Sequence, residues 1–295
     1  MESFKKNIDK QIDHNKGKNL FKTDSVKNMQ FISETLNTIE DIGAIDIETE
    51  NILIDYATDK CLEEFCRINQ YLSFSNTDRN KLRSIYAILI TSIKSKKQPI
   101  NQISENHYQN LKGWIQSSNP YTKDLYTNKG EKVEPITCSE YSAEFQLNIL
   151  NIDLTQIMEP VLDIGCGKQA NLVNFLQEKG IKAFGIDRFA ENNSSTIKSD
   201  WLEYDYGNLK WGTIISNLGF SNHFYHQHLR NDGNFLEYAK KYMQILNSLK
   251  VGGRFYYAPS LEFIERYLSS SEYKVNNSNT SVSYTHLTLP TKRIV

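Results

Sequence analysis

Two glycines separated by one residue, Gly165 and Gly167, close an apolar run and open a helix-like stretch in "VLDIGCGKQANLVNFLQEKGIKAFGIDRF", residues 161–189. Glycines directly after a strand and before a helix let a ligand approach the backbone, and they leave the helix's first amides facing it. Asp163 precedes the first glycine by two residues, and a second apolar run ends in Asp187. A pyrophosphate turn reads G-x-G-x-x-G, and Ala170 at the third position here is compatible with it. Asp163 is not: a carboxylate beside an anion is repulsive, whereas an ammonium or a sulfonium is favoured by it. Those residue types point to a cationic ligand.

The cation that combines an ammonium and a sulfonium is S-adenosyl-L-methionine, and "VLDIGCGKQA" resembles the first motif of class I S-adenosylmethionine-dependent methyltransferases. The resemblance covers about residues 139–275 and implies the rest of a cofactor site. Asp163, Gly165 and Gly167 match the acid and the glycines of that motif, and Asp187 in "AFGIDRF" matches the acid that binds the two ribose hydroxyls. Asp200 in "KSDWLEY" matches an acid near the adenine amine, with Trp201 over the ring; an aspartate at a strand end is also an ordinary helix cap. "LKVGGRFYYA" is similar to the family's late motif, with Val251 in place of its proline. Cys166 reads as a small space-filling residue.

Catalytic candidates follow the fourth strand, whose carboxyl end such a sheet aims at the cofactor. In "SNLGFSNHFYHQH", Asn217 and Phe220 have the spacing of the Asn-Pro-Pro-aromatic motif of amino-group methyltransferases, although Leu218 and Gly219 replace both prolines. His223, His226 and His228 come next; each is a candidate general base, and an ordinary polar helix start is the competing reading. Asn217, Phe220 and His223 are expected to supply a polar anchor, a ring against the acceptor, and a base. No metal site is expected, because no acid joins the histidines before Asp232 and no cysteine is near. Tyr141 and Phe145 in "SEYSAEF" are candidates to line the site, or else belong to a structural helix.

The elements that position these residues are legible as periodicities. Strands are expected at 161–164, 183–186, 213–216 and 254–258, with a short one near Ile197, and helices at 171–179 and about 234–249, where "LKVGG" stops the second. Alternating strands and helices give α/β: a doubly wound, mostly parallel sheet, the Rossmann-like methyltransferase fold, with an all-helical N-terminal region. Helical spacing recurs there at Val26, Met29, Ile32, Leu36 and Ile39; at Ile54, Cys61, Phe65, Ile68 and Leu72; and at Leu82, Ile85, Leu89 and Ile93. Four segments are expected: a helical lid or recognition region (1–116), a linker or active-site loop (117–136), the methyltransferase domain (137–278) and a non-native tail (279–295). "SVSYTHLTLPTKRIV" resembles translated sequencing-adapter DNA, so the last strand of the family's usual seven-stranded sheet is expected to be missing or replaced.

With Lys+Arg 34 against Asp+Glu 35, the chain carries a formal charge of -1 and no global basic field. Cys61, Cys66, Cys138 and Cys166 form no CxxC pair, which fits a reduced, cytoplasmic protein. The N-terminus has charges where a signal peptide needs an apolar stretch, and no segment reads as membrane-spanning. The expected function is methyl transfer from S-adenosyl-L-methionine to a small-molecule O or N nucleophile. An RNA or protein acceptor, the former suggested by "KSKKQ" at 94–98, and an inactive cofactor-binding interaction module are the alternatives.

Overall fold

The computed structural model describes residues 1–22, 29–133 and 141–278, with 282–283, 288–289 and 292–294. Val26, Cys138, the helix start at Ser139 and most of the tail lie outside them; of the helix expected from Val26 to Ile39, residues 29–32 are non-helical and the helix runs over Ser33–Ile42. The chain divides into two compact units, Met1–Cys138 and Ser139–Val295.

In the first unit the described helices are α1 (Glu2–Asn15), α2 (Ser33–Ile42), α3 (Ile47–Ile68), α4 (Asn76–Ser95), α5 (Ile100–Ser118) and α6 (Tyr121–Tyr126). Helix α3 starts where Asp46 accepts the Thr49 amide, and α4 starts with a reciprocal capping box between Ser75 and Asp78. The two run antiparallel, as ion pairs Glu50–Lys94, Asp55–Arg83 and Asp59–Arg79 show. Ile54, Cys61 and Leu82 face the core as their spacing predicts, but Leu36 is exposed. Residues 117–136, read as linker or loop, contribute the end of α5 and all of α6. Buried Asn19 donates to the carbonyls of Tyr126 and Gly130, and the Val133 amide donates to Gly17, so hydrogen bonds organise a stretch that has no apolar period.

The second unit contains α7 (Ala143–Leu150), β1 (Val161–Ile164), α8 (Asn171–Glu178), β2 (Ala183–Asp187), β3 (Thr196–Lys198), β4 (Trp211–Asn217), α9 (Phe220–Leu229), α10 (Phe235–Asn247), β5 (Leu249–Ala258), α11 (Glu262–Glu265), β6 (Asn276–Ser278), β7 (Val282–Ser283), β8 (Thr288–Leu289) and β9 (Lys292–Ile294). The sheet order is β3-β2-β1-β4-β5-β9-β6; the first five strands are parallel, and β9 runs antiparallel to both neighbours. This is the doubly wound Rossmann-like sheet. The position expected to be vacant or substituted is filled by Lys292–Ile294, from within the stretch read as non-native.

Strand β4 is buried at all seven positions, as a central strand covered on both faces must be. One face sends Leu162, Ile164, Ile214, Phe255 and Tyr257 against Phe224, Tyr238 and Tyr242 of α9 and α10. The other sends Val161, Ile215, Tyr256 and Ala258 against Leu147, Leu150, Leu172 and Val173 of α7 and α8. The "LKVGG" glycines do not stop the preceding helix, which ends at Asn247. Instead β5 runs through them, with a register irregularity in which Leu249 pairs with Trp211 and Arg254 with Thr213. Gly252, at φ +77°, takes the left-handed turn of that bulge.

The turn after β1 abuts the turn after β4. A Cβ built on Gly219 would stand 2.9 Å from the Ile164 carbonyl oxygen and 3.6 Å from Cα of Gly165. Gly219→Ala is therefore expected to push the two turns apart and destabilise the protein by about 1–3 kcal/mol. Urea unfolding measures this, and an unchanged midpoint would show that the turns do not rest on each other.

Candidate functional site

The β1 turn is built by backbone geometry. Gly165 and Gly167 adopt φ +83° and +75°, and Ala170 enters α8 at φ +50°. The amides of Gly165 and Cys166 both donate to the Ile186 carbonyl, at 2.9 and 3.2 Å, which ties the turn to the end of β2. Asp187 completes the tie: Oδ2 accepts from the Gly167 amide (3.3 Å) and Oδ1 from the Phe189 amide (2.8 Å). Cys166 is buried against Gly185, where a Cβ would lie 2.7 Å from its Sγ, so it fills space as its size suggests.

Asp163 points from the same face as Val161 and pairs in register with Ile215. Asn217 lies two residues beyond Ile215 and so shares that face. Both side chains are buried, at 2 % and 8 % exposure, and Oδ2 of Asp163 and both polar atoms of Asn217 have no hydrogen-bond partner among the described residues. Unpaired buried polar atoms are expensive, and clusters of them in a native protein call for a physical reason. Burial, and secondarily the charge of Asp187, push the Asp163 carboxyl up to about 7. The carboxyl ends of β1, β2 and β4 thus carry two acids that repel each other and an amide with nothing to bind.

Trp201 comes over the first glycine: a Cβ on Gly165 would meet its Cζ3 at 3.4 Å. Its ring packs edge to face on His223, 4.8 Å between centroids, and on Phe220 at 6.5 Å. Asp200 is half-buried, and its Oδ1 accepts the Leu202 amide at 2.7 Å, so the carboxylate already caps the turn that presents Trp201. Burial raises the Asp200 carboxyl above its ordinary range despite that bond.

Two of the three catalytic candidates, Phe220 and His223, are buried in aromatic surroundings. Phe220 is completely buried, with its ring against Phe224 and Tyr238. It lies in the first turn of α9 and points into the core under Trp201, so it does not present a face to an acceptor. His223 is also buried, at 4 % exposure, and burial, followed by the nearby charges of Arg188 and His226, holds it well below the usual imidazole range. A neutral imidazole that resists protonation is a poor proton acceptor. Burial likewise pulls His226 down to about 4, while His228 stacks on Phe263 at 3.9 Å. Among the described residues no group of three or more His, Cys, Asp or Glu side chains is placed to hold a metal. Tyr141 stacks on Phe145 at 5.0 Å, and its carbonyl accepts from Asn171 at the start of α8.

Ser216 escapes sequence reasoning because it sits in an apolar strand. Its hydroxyl donates to the Ile164 carbonyl (2.9 Å) and accepts from the Phe220 amide (3.0 Å), joining β1, β4 and α9 at one point. Leu218 follows at φ +58°, a left-handed conformation unfavourable for a branched side chain, with its amide bound to the Ala258 carbonyl at 3.0 Å. Backbone strain of this kind gathers at functional turns.

No protein family's sequence model matches the chain, and no curated protein matches it. Solved structures resemble it at low identity. The sugar N-methyltransferase KedS8 from Streptoalloteichus is 15% identical over 47% of this chain and 54% of its own, with a TM-score of 0.30. The glycopeptide N-methyltransferase MtfA complexed with (S)-adenosyl-L-methionine is 13% identical over 54% of this chain and 80% of its own, TM-score 0.28. The type I restriction-modification system methyltransferase subunit from Streptococcus thermophilus is 13% identical over 99% of this chain and 78% of its own, TM-score 0.31. The chain spans about half the length of the sugar N-methyltransferase. The fold stands on strand order and register, not on these likenesses.

Asp163 keeps its proton in the folded chain up to about pH 7, whereas an unfolded aspartate loses it near pH 4. Its contribution to stability is therefore fully present below about pH 4 and is lost as pH rises through about 7. Asp163→Asn should flatten the stability profile over that interval relative to the parent. Urea unfolding across a pH series measures it, and identical slopes in the two proteins would show that Asp163 ionises normally.

Proposed function

We propose that the Ser139–Val295 unit binds S-adenosyl-L-methionine across the carboxyl ends of β1 and β2 and transfers its methyl group to a small-molecule O or N nucleophile. One observation carries the reading: Asp163 and Asn217 place unpartnered, buried polar atoms on one sheet face at the end where such sheets bind ligands. A cation satisfies Asp163, offsetting both its desolvation and its repulsion by Asp187, whereas a pyrophosphate adds to the repulsion.

When bound, the cofactor supplies a methyl group activated on a sulfonium. The protein's part is to hold, orient and exclude water. Asp187 would accept the ribose hydroxyls on its carboxylate while its bonds to backbone amides keep the glycine turn closed. Trp201 forms an apolar wall over Gly165, and the ring edges of Phe220 and His223 fix its plane. Asp200 serves first as the cap of that wall's turn, with an adenine contact as its second role. Asn217 offers an acceptor oxygen and a donor nitrogen to the incoming nucleophile, and bringing that atom into line supplies much of the acceleration. Phe220 and His223 are positioning residues in this scheme.

Asp187→Ala is expected to weaken cofactor binding by about 1.5–3 kcal/mol, through lost hydrogen bonds to an ionised carboxylate. Asn217→Ala should retain cofactor affinity and melting temperature while slowing turnover, because its bonds to the acceptor matter most in the transition state. The assay follows labelled methyl groups from the cofactor into small-molecule, protein and RNA fractions of a cell extract. Label in the RNA or protein fraction would move the acceptor to that class. Cofactor binding with no label anywhere would favour a non-catalytic binding module.

A further inference from the structure

The helical unit holds a cavity of about 200 Å³ between α1, α2, α3, α4 and α5. Protein interiors leave few voids larger than a water molecule. An apolar void of about 150 Å³ stays dry and accepts a benzene-sized guest. The walls here are apolar over most of their extent, with Leu53, Ile54, Ile90 and Leu111 buried around it.

One end differs. His107 lines the cavity at 6 % exposure, and its Nδ1 is buried with no hydrogen-bond partner among the described residues. The neighbouring polar groups are already committed. The Tyr108 hydroxyl accepts from Gln11 and Asn15, and the Tyr86 hydroxyl pairs with the Cys61 thiol. The rings of Tyr86, Tyr108 and Phe31 stand 5.2, 5.3 and 6.4 Å from the imidazole, so His107 is held in an aromatic surround. Burial alone pulls this histidine down to about 4, which leaves it neutral at physiological pH and offers no charge to an anion.

We propose that this cavity is a binding site for a small neutral aromatic molecule bearing one hydroxyl, with its ring between Leu53, Ile54 and Leu111 and its hydroxyl on Nδ1 of His107. A hydroxyl donates and accepts, so it satisfies Nδ1 in either imidazole tautomer. The apolar walls reward the ring, and they penalise any charged substituent through desolvation. The size admits one ring or two fused rings. This site lies within the helical unit and is independent of methyl transfer.

The test uses the full chain without adenosylmethionine, with phenol and toluene as probes of matched shape. Calorimetry is expected to give phenol a Kd of about 0.1–1 mM, at least about fivefold tighter than toluene, since only phenol replaces the missing hydrogen bond. The melting temperature should rise with phenol concentration. His107→Leu should keep toluene binding and lose the preference for phenol. Ala57→Met, which extends a buried side chain from α3 into the space, should abolish both. In the parent protein, nitrogen NMR should show the His107 Nδ1 resonance shifting on phenol addition, a readout that needs no variant. Failure of phenol to bind the folded parent, or an unmoved Nδ1 resonance on binding, would overturn the proposal. So would phenol binding that survives Ala57→Met unchanged.

Discussion

An acid buried at the end of β1, beside a second acid, is the constraint around which the sheet unit is arranged. A valine or isoleucine at position 163 would pack between α7 and α8 as Val161 does, without desolvation and without repulsion from Asp187. Aspartate there is a local conflict in an otherwise self-consistent strand, and conflicts of this kind concentrate where a ligand completes the structure. The rest of the site follows from accommodating that ligand. The glycines let the turn close tightly, Asp187 holds it through the Gly167 and Phe189 amides, and Trp201 lies over Gly165.

The strand order explains why these pieces converge. The chain leaves β1 for β2 on one side and returns to β4 on the other, so the loops after β1 and β4 diverge above the sheet at its switch point. Ser216 and Gly219 then set how close the two loops come: the hydroxyl bridges the last carbonyl of β1 to the first turn of α9, and the glycine permits contact with Gly165. Leu218 accepts a left-handed backbone so that Asn217 ends its strand facing the same side as Asp163. Rigid turns of this kind favour an arrangement set before the ligand arrives.

Much of this was legible in the residues and some of it was not. The glycine turn, Asp163 and Asp187 stand out in the sequence because their spacing is local. The strands were found to within a few residues because buried parallel strands are continuous apolar runs. Proximity of Phe220 and His223 in sequence to a strand end does not say which way a helical side chain points; the first turn of α9 directs both inward. The glycines of "LKVGG" read as a helix stop, since a bulge and a cap demand the same backbone freedom. Helices α1 and α5 went unread behind asparagine, lysine and glutamine, whose stems cover apolar surface without an apolar signature. No periodicity revealed the cavity at His107, because a void is set by which side chains fail to meet.

The most direct measurement is the proton released when S-adenosyl-L-methionine binds. At pH 6 the Asp163 carboxyl is mostly protonated in the free protein, and a cation placed beside it drives the proton off. Calorimetry in two buffers of different ionisation enthalpy should report release of up to about one proton per cofactor bound. That release should vanish in Asp163→Asn, and NAD should bind no better than background. Cofactor binding without proton release in the parent protein, or NAD binding of equal strength, would contradict the assignment of Asp163 to a cationic ligand.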